Sequence, residues 1–300
     1  MSDFVQQHAV KCSFNSSDSW IILSPIEQSI KNKIEAIGKP LKEWDIKIYR
    51  GVLTGYNEAF IISTAKRDEI LANCSTENER ARTADLIRPI LRGRDIKRYG
   101  YTWADLWLIA TFPSRHYNID DFPAVKSYLL SIGKERLEQT GKTHIIEGEK
   151  VKARKKTNNK WFETQDSISY WEDFSKPQIA WLELSDDPKF TLVENIVSLN
   201  TVFIMTGDDI KHILGILNSK LITWYFHSCI GTSSGVGTNR WLKYTIGLIP
   251  IAKRDETLIN QVEEMTKTPS PDIDKLIHDK VNELYSLNEK EKDFIDSLRI

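Results

Sequence analysis

The hydrophobic pattern changes its period twice along this chain of 300 residues, and the change limits the fold to one that combines helices with strands. Residues 25–37 have the repeat of about 3.6 residues that marks an amphipathic helix. From Trp44 to Phe203 the pattern is mainly that of short strands, with helical patterns at 76–87 and 122–139. Beyond this region the helical repeat returns. We therefore predict an α/β fold of the mixed α+β type.

Capping residues mark the ends of the predicted helices. Ser24 and Glu27 have the spacing of a capping box at the start of the first helix. A second, long helix is predicted to begin after Thr206 or Asp208 and to end at Gly231, since its hydrophobic residues keep the helical period throughout. We expect this long helix to pack against the strands.

The last part of the chain has a different character. Residues 242–251 are strand-like, and beyond Lys253 the sequence is acidic and amphipathic, with a last helix capped by Asn288 and Glu291. We expect this C-terminal helical tail to dock on a partner. The predicted domains are a helical lead-in at 1–43, a main domain at 44–252 and the docking tail at 253–300.

Composition limits the class of protein. A content of 40% hydrophobic and 10% aromatic residues is enough to bury a core, which argues against disorder. The longest apolar runs are far shorter than the roughly 20 residues that span a bilayer, and the first residues lack the apolar centre of a signal peptide. We therefore expect a cytoplasmic protein with no membrane partner. The three cysteines are widely spaced, which argues against disulfides and structural zinc.

Sequence motifs of common catalytic sites are absent. The chain contains no HExxH, no Walker-type glycine loop that ends in Lys-Ser or Lys-Thr, and no nucleophile elbow. It also lacks the Asn-Pro-Pro-Tyr type of loop with which amino-methyltransferases hold a flipped base. We therefore predict no catalytic site, no metal and no cofactor in this chain.

A first basic cluster lies at residues 88–103, beside several aromatic residues. Arginine donates paired hydrogen bonds to guanine edges and to phosphates, so this pattern suits a surface that contacts DNA. In the alternative interpretation, Arg94 and Asp95 form internal ion pairs that hold a turn. The residues alone leave both interpretations open. The candidate contact residues of this cluster are Arg92, Arg94, Lys97 and Arg98.

A second basic cluster lies at residues 148–163 and begins with Lys150. A charge run of this kind is usually a solvated loop. Here aromatic and asparagine residues flank the run, and asparagine can bind adenine through two hydrogen bonds, so we favour contact with DNA. The candidate contact residues are Lys152, Arg154, Lys155, Lys156, Asn158 and Lys160.

A glycine-rich segment at 231–240 is either a flexible connector or a loop that grips the DNA backbone. It follows a predicted helix and lacks the Lys-Ser or Lys-Thr pair, which argues against a nucleotide-binding P-loop. Its candidate hydrogen-bond donors are Ser233, Ser234, Thr238 and Arg240.

Six segments in consistent order resemble the TaqI-like C-terminal specificity domain, which occurs in adenine-specific DNA methyltransferases and in fused Type IIG restriction-modification enzymes. The resemblance covers most of the chain from about Trp20 onward. The segments are RGVLTGYNEAFII (Arg50–Ile62), IRPILRGRDIKRY (Ile87–Tyr99), KPQIAWLELS (Lys176–Ser185), GILNSKLITWYF (Gly215–Phe226), LKYTIGLIPI (Leu242–Ile251) and IDKLIHDKVNELYSLNEKE (Ile273–Glu291).

This resemblance implies a target-recognition domain that clamps duplex DNA against a separate catalytic domain. That catalytic domain binds S-adenosylmethionine and methylates the exocyclic amine of an adenine that has been flipped out of the helix. The methyltransferase part is absent here, so we expect a separate specificity subunit or a part of a longer polypeptide. The loops at 152–160 and 233–240 are expected to make target-specific contacts. The residues that the resemblance places near DNA are Asn57, Arg92, Arg94, Lys97 and Arg98.

Two classes of function remain open. The leading hypothesis is a sequence-recognition module of an adenine-specific restriction-modification methyltransferase, in which phosphate contacts position the module and a few side chains read bases. The alternative is a protein-docking or regulatory subunit of a methyltransferase or nuclease that does not itself read DNA. A stand-alone enzyme is disfavoured because the catalytic motifs are missing.

Overall fold

A computed structural model of the chain describes residues 22–146, 148–185, 188–230 and 239–299. Two hydrophobic cores lie on opposite faces of one four-stranded sheet. The α-helices are α1 (Pro25–Ile37), α2 (Asn57–Phe60), α3 (Thr64–Ala72), α4 (Glu77–Leu86), α5 (Pro123–Ile132), α6 (Lys134–Leu137), α7 (Ile210–Leu217), α8 (Lys220–Tyr225), α9 (Lys243–Ile246), α10 (Glu256–Lys267), α11 (Pro271–Leu284) and α12 (Glu289–Ser297). The strands are β1 (Lys39–Pro40), β2 (Ile46–Arg50), β3 (Ile61–Ser63), β4 (Ile87–Leu91), β5 (Ile96–Lys97), β6 (Gly100–Tyr101), β7 (Leu106–Ile109), β8 (Thr143–Ile146), β9 (Glu149–Lys152), β10 (Gln178–Leu182), β11 (Thr191–Val193), β12 (Val197–Ser198), β13 (Val202–Gly207) and β14 (Pro250–Ile251).

The four-stranded sheet between the two cores is antiparallel and has the strand order β11-β10-β13-β2. Its side chains alternate between the faces, as the two-residue period of a strand requires. Ile179 and its strand partner Met205 face one core, whereas the next pair, Ala180 and Ile204, faces the other. Because both faces are covered, this sheet is the central layer of the fold and we call it the central sheet.

The first core, which we call the helical core, contains residues of α1, of the helices from α7 to α12 and of one face of the central sheet. Apolar residues four positions apart point into it, such as Ile30 and Ile34 on α1, or Ile277 and Val281 on α11. Among the described residues, no helix has both the length and the apolar character that crossing a membrane requires.

The second core, which we call the sheet core, contains residues of the other face of the central sheet and of a second four-stranded sheet with the order β12-β4-β7-β3. In this second sheet β4 pairs antiparallel with β7 and parallel with β12. Helices α3 to α6 cover it with the buried residues Ile70, Leu86, Leu129 and Leu137. The two-stranded β8–β9 sheet contacts α6, one of the helices that cover the sheet core, and the second basic cluster continues from β9 into the loop that follows.

The C-terminal tail packs against the rest of this chain. Asn288 and Glu291 form the predicted capping box, in which each side chain accepts a hydrogen bond from the backbone N–H of the other residue, at 3.1 and 2.8 Å. Glu291 also pairs with Lys33 of α1 at 2.6 Å. The domain boundaries and the docking of the tail on a partner stay predictions. The tail residues buried in the helical core include Leu258, Val262, Ile273, Ile277, Val281 and Ile295.

The predicted long helix after the central sheet is broken. It consists of α7, α8 and a π-helical segment, Phe226–Ile230, and its N-cap position is Asp209 rather than either residue predicted. The break lies at Asn218, whose side chain accepts a hydrogen bond from the N–H of Phe190 at 3.1 Å and donates one to its carbonyl at 2.9 Å. Ser219 then caps α8. Asn218 is thus fixed by a distant loop at the point where the extended backbone of Ser219, with a φ of −78° and a ψ of 148°, separates the two helices.

Residues 242–251, which were predicted to form a strand, contain a short helix and a turn before a two-residue strand. Helix α9 begins where the hydroxyl of Thr245 accepts a hydrogen bond from the N–H of Leu242 at 3.0 Å. Only β14 at the end of this segment is a strand, and it pairs with β1. The strand prediction was therefore wrong for most of this segment.

Candidate nucleic-acid interface

Arg154 lies at the centre of the second basic cluster and is buried, with an exposed fraction of 5%. Its guanidinium donates to four backbone carbonyl oxygens, those of Leu137 (2.8 Å), Thr54 (3.1 Å), Glu163 (2.8 Å) and Trp161 (2.7 Å). Burial lowers the pKa of Arg154 to about 10, so the side chain stays charged at neutral pH. The expectation that Arg154 contacts DNA is not supported, because its guanidinium is buried and donates to backbone carbonyl oxygens of this chain.

One of the segments that Arg154 holds is the turn at Thr54–Asn57. Gly55 has a φ of +80°, and a Cβ there would lie 3.0 Å from Gln165, so this position favours glycine. The hydroxyl of Thr54 donates to Oδ1 of the exposed Asn57 at 2.6 Å. The carbonyl end of the Asn57 amide therefore stabilises the turn, and the amide nitrogen is the group left to donate to a ligand.

Exposed lysines lie on the segments on either side of Arg154. Backbone hydrogen bonds fix their loop on both sides of Arg154. The N–H of Ala153 donates to the carbonyl of Lys142 at 2.9 Å, and the N–H of Thr157 donates to the carbonyl of Gln139 at 3.0 Å. Within the part of the chain that the structure describes, none of these lysines forms an ion pair, and the nearby Glu138 lies 3.8 Å from His144. Because these lysines have no acidic partner among the described residues that neutralises their positive charge, the surface attracts an approaching polyanion. We call it the lysine surface, and it comprises Lys142, Lys150, Lys152, Lys155, Lys156 and Lys160 together with Asn158.

The first basic cluster is partly structural. Arg92 donates to both carboxylate oxygens of Asp95 at 2.8 Å, and this contact holds the pKa of the buried Asp95 carboxyl below its usual value. A Cβ on Gly93 would lie 2.2 Å from the side chain of Leu182, so the turn packs closely on the central sheet. One interpretation of this cluster was an internal ion pair of Arg94 with Asp95. An internal ion pair does form, but Asp95 pairs with Arg92. Arg94 is exposed.

Arg98 joins the first basic cluster to the C-terminal tail. Its Nε and Nη2 donate to the carbonyl of Asn218 at 3.1 and 2.8 Å, and its Nη1 donates to Asp274 of α11 at 2.6 Å. These contacts hold Arg98 in the junction between α7 and the tail, and its place near DNA stays a prediction. Lys97, in contrast, is exposed.

Arg240 belongs to a third cationic group, at one end of the central sheet. Its Nη2 lies 2.7 Å from Oε1 of Glu183, and Nη2 of Arg50 lies 3.2 Å from the other oxygen of the same carboxylate. Two exposed arginines share one carboxylate, so the group keeps a net positive charge. Sequence reasoning did not select Arg50, because only the pairing of β2 with β13 brings it here. The candidate donors Ser233, Ser234 and Thr238 lie outside the described residues.

Residues 50–57 connect this arginine group to the turn beside the lysine surface. Seven residues of chain span at most about 25 Å, so Arg50 and Asn57 lie within that distance. The connection is tightly packed, since the N–H of Gly51 donates to Val202 at 2.8 Å and a Cβ on Gly51 would lie 2.1 Å from the carbonyl oxygen of Leu199. One segment, closely packed at Gly51, therefore links the two cationic groups.

The sequence model of the TaqI-like C-terminal specificity domain matches residues 88–251, which is more than half of the chain. The chain belongs to this family. No curated protein sequence matches it. The type IIG restriction endonuclease BpuSI has a similar structure, with a TM-score of 0.52 and 13% identity over 90% of this chain. The Type IIL restriction-modification enzyme MmeI, solved in complex with DNA, gives a TM-score of 0.48 and 12% identity over 87% of this chain.

This specificity domain spans about a third of the chains to which it is similar, 32% of BpuSI and 37% of MmeI. At such low identity the likeness to BpuSI shows the fold alone. The matched region of the specificity domain contains the first basic cluster, the lysine surface and Arg240, while Arg50 and Asn57 precede it. Across the described residues, no group of three or more His, Cys, Asp or Glu side chains is placed to hold a metal ion.

Proposed function

We propose that this chain is the DNA sequence-recognition module of an adenine-specific restriction-modification methyltransferase. It binds duplex DNA and presents a few side chains to the base edges, while a separate domain or subunit performs the chemistry. The observation that carries this proposal is the lysine surface, a set of exposed cations held in place by the buried Arg154, in a member of the specificity-domain family.

Affinity and specificity for DNA have different physical origins. Lysines that neutralise phosphates release bound counterions, which gives affinity without sequence information. In this proposal Lys155, Lys156 and Lys160 make such contacts. Specificity requires donors aimed at base edges, for which arginine and asparagine are well suited. Arg94 and Asn158 are exposed and fit this role.

The proposed partner is a methyltransferase domain or subunit that binds S-adenosylmethionine and takes the target adenine out of the duplex. BpuSI, of which this chain covers 32%, is a type IIG restriction endonuclease. By analogy, the catalytic part belongs to the remainder of a larger enzyme that acts on DNA in the cytoplasm. The competing role as a docking subunit has less support, because the apolar faces of the tail helices are buried in the helical core.

The proposal is tested by the salt dependence of binding to short duplexes of mixed sequence. Replacing Lys155, Lys156 and Lys160 together with alanine is expected to reduce the slope of log affinity against log salt by about 2 to 3, because three phosphate contacts are lost. A slope equal to that of the wild-type chain would remove the lysine surface from the proposal. The control variant replaces three exposed lysines outside that surface, Lys253, Lys275 and Lys290.

A further inference from the structure

We infer that the two-stranded ribbon formed by β8 and β9 enters the major groove of the bound duplex and reads bases with its outer face, an inference that rests on the function proposed above. The ribbon is a separate antiparallel sheet. Its pairing places Thr143 opposite Lys152 and Ile145 opposite Lys150. These four residues share one face, since side chains alternate along a strand.

The two faces of the ribbon differ in burial at its base, whereas Glu149 near the tip of the inner face is exposed. All four residues of the outer face are exposed. On the inner face Val151 is buried, and its strand partner His144 is half-buried, 3.8 Å from Glu138 at the end of α6. Packing of the inner face therefore orients the ribbon and leaves the outer face open to a ligand.

The outer face combines positive charge with one large apolar side chain. Ile145 is 75% exposed, more than any other large hydrophobic residue in the described part of the chain. A single exposed isoleucine is common on protein surfaces. Here it lies opposite Lys150 and beside Thr143 on the same face, and its methyl groups can contact the methyl group of thymine in the major groove. Lys150 and Lys152 are placed to donate to the N7 and O6 atoms of guanine.

The dimensions of the ribbon select the groove. Its strands lie about 4.8 Å apart, and side chains widen it further, so it fits a major groove about 12 Å wide but not a minor groove about 6 Å wide. The base of the ribbon is rigid, because the hydrogen bond from Ala153 to Lys142 closes it and the next residue is the buried Arg154. Lys155 and Lys156 follow on the same loop and lie where phosphates border the groove.

The test is selection from a pool of short duplexes with a randomised centre, carried out with the full chain. The wild type, Ile145→Ser and the double variant Lys150→Ala/Lys152→Ala are compared with two controls on other exposed surfaces, Leu276→Ser and Lys253→Ala/Lys290→Ala. The ribbon variants are expected to lose enrichment at one or two base positions, and the double variant to bind the selected duplex about tenfold more weakly or worse. The controls are expected to keep both properties.

A second probe identifies the groove. The selected duplex is prepared with the N7 atoms of its purines replaced by carbon, which removes acceptors from the major groove and leaves the minor groove and phosphates intact. We expect the wild type to lose affinity for this duplex and Lys150→Ala/Lys152→Ala to lose less. Ribbon variants that enrich the same bases as the wild type, or a wild type indifferent to the N7 replacement, overturn the inference while the proposed function stands. A wild-type chain that enriches no sequence removes the proposed function, and the inference with it.

Discussion

Replacing Arg154 with alanine is expected to lower the free energy of unfolding substantially. In the described part of the chain, the carbonyl oxygens of Leu137 and Trp161 accept a hydrogen bond from Arg154 alone. Each buried acceptor left without a donor costs about 1–3 kcal/mol, so with the lost packing we expect a decrease of about 3–5 kcal/mol. Urea-induced unfolding, followed by tryptophan fluorescence, measures this decrease because Trp161 lies beside the substituted residue.

The neighbouring Lys155 provides a matched control. It is exposed, so Lys155→Ala is expected to change the free energy of unfolding by no more than about 0.5 kcal/mol while weakening DNA binding. The free energy of unfolding is expected to decrease in Arg154→Lys by more than half as much as in Arg154→Ala, because an ammonium group cannot reach all the carbonyls placed around a planar guanidinium. Equal unfolding free energies for Arg154→Ala and Lys155→Ala would refute the organising role of Arg154.

Two further substitutions test the packing around the site. A Cβ on Gly51 would lie 2.1 Å from a backbone carbonyl oxygen, whereas one on Gly100 meets nothing within 4 Å. Gly51→Ala is therefore expected to lower the free energy of unfolding by about 2 kcal/mol or more and Gly100→Ala by no more than about 0.5 kcal/mol; identical urea midpoints would contradict this packing. The hydrogen bond from Arg92 lowers the pKa of Asp95 from its usual 3.8, so the stability it contributes is complete above pH 3.8 and is lost as the pH falls through the folded-state pKa. The Asp95→Asn variant is expected to have a lower free energy of unfolding than the wild type at neutral pH, and this free energy is expected to change less below about pH 4. Acid unfolding curves of the same shape for both proteins would count against the ion pair of Arg92 and Asp95.

Local signals predicted those parts of the fold that a few neighbouring residues determine. Helix α1 begins at the predicted N-cap because Ser24 and Glu27 satisfy each other's backbone N–H groups, whatever the rest of the chain does. The capping box at Asn288 formed for the same reason. The exposure of Lys155 and Lys156 also follows from their charge, since an unpaired lysine is costly to bury.

Contacts between distant residues could not be predicted from the pattern. The hydrophobic period runs through Asn218 without interruption, but where the helix ends the distant residues Phe190 and Arg98 bind the side chain and the carbonyl oxygen of Asn218. Arg154 has the same polar character as its lysine neighbours, yet carbonyl groups from four separate positions converge on it. A single sequence contains no local record of that convergence, which is why Arg154 was placed on the DNA surface.

The proposed function requires that this chain itself reads DNA sequence. Its most direct test is to bind the purified chain to a pool of short duplexes with random central bases at two salt concentrations, and to sequence the retained fraction. We predict that a short asymmetric motif is enriched at both salt concentrations, with lower retention at the higher one. Salt-sensitive retention without any enriched motif, or no retention at either concentration, would contradict the claim.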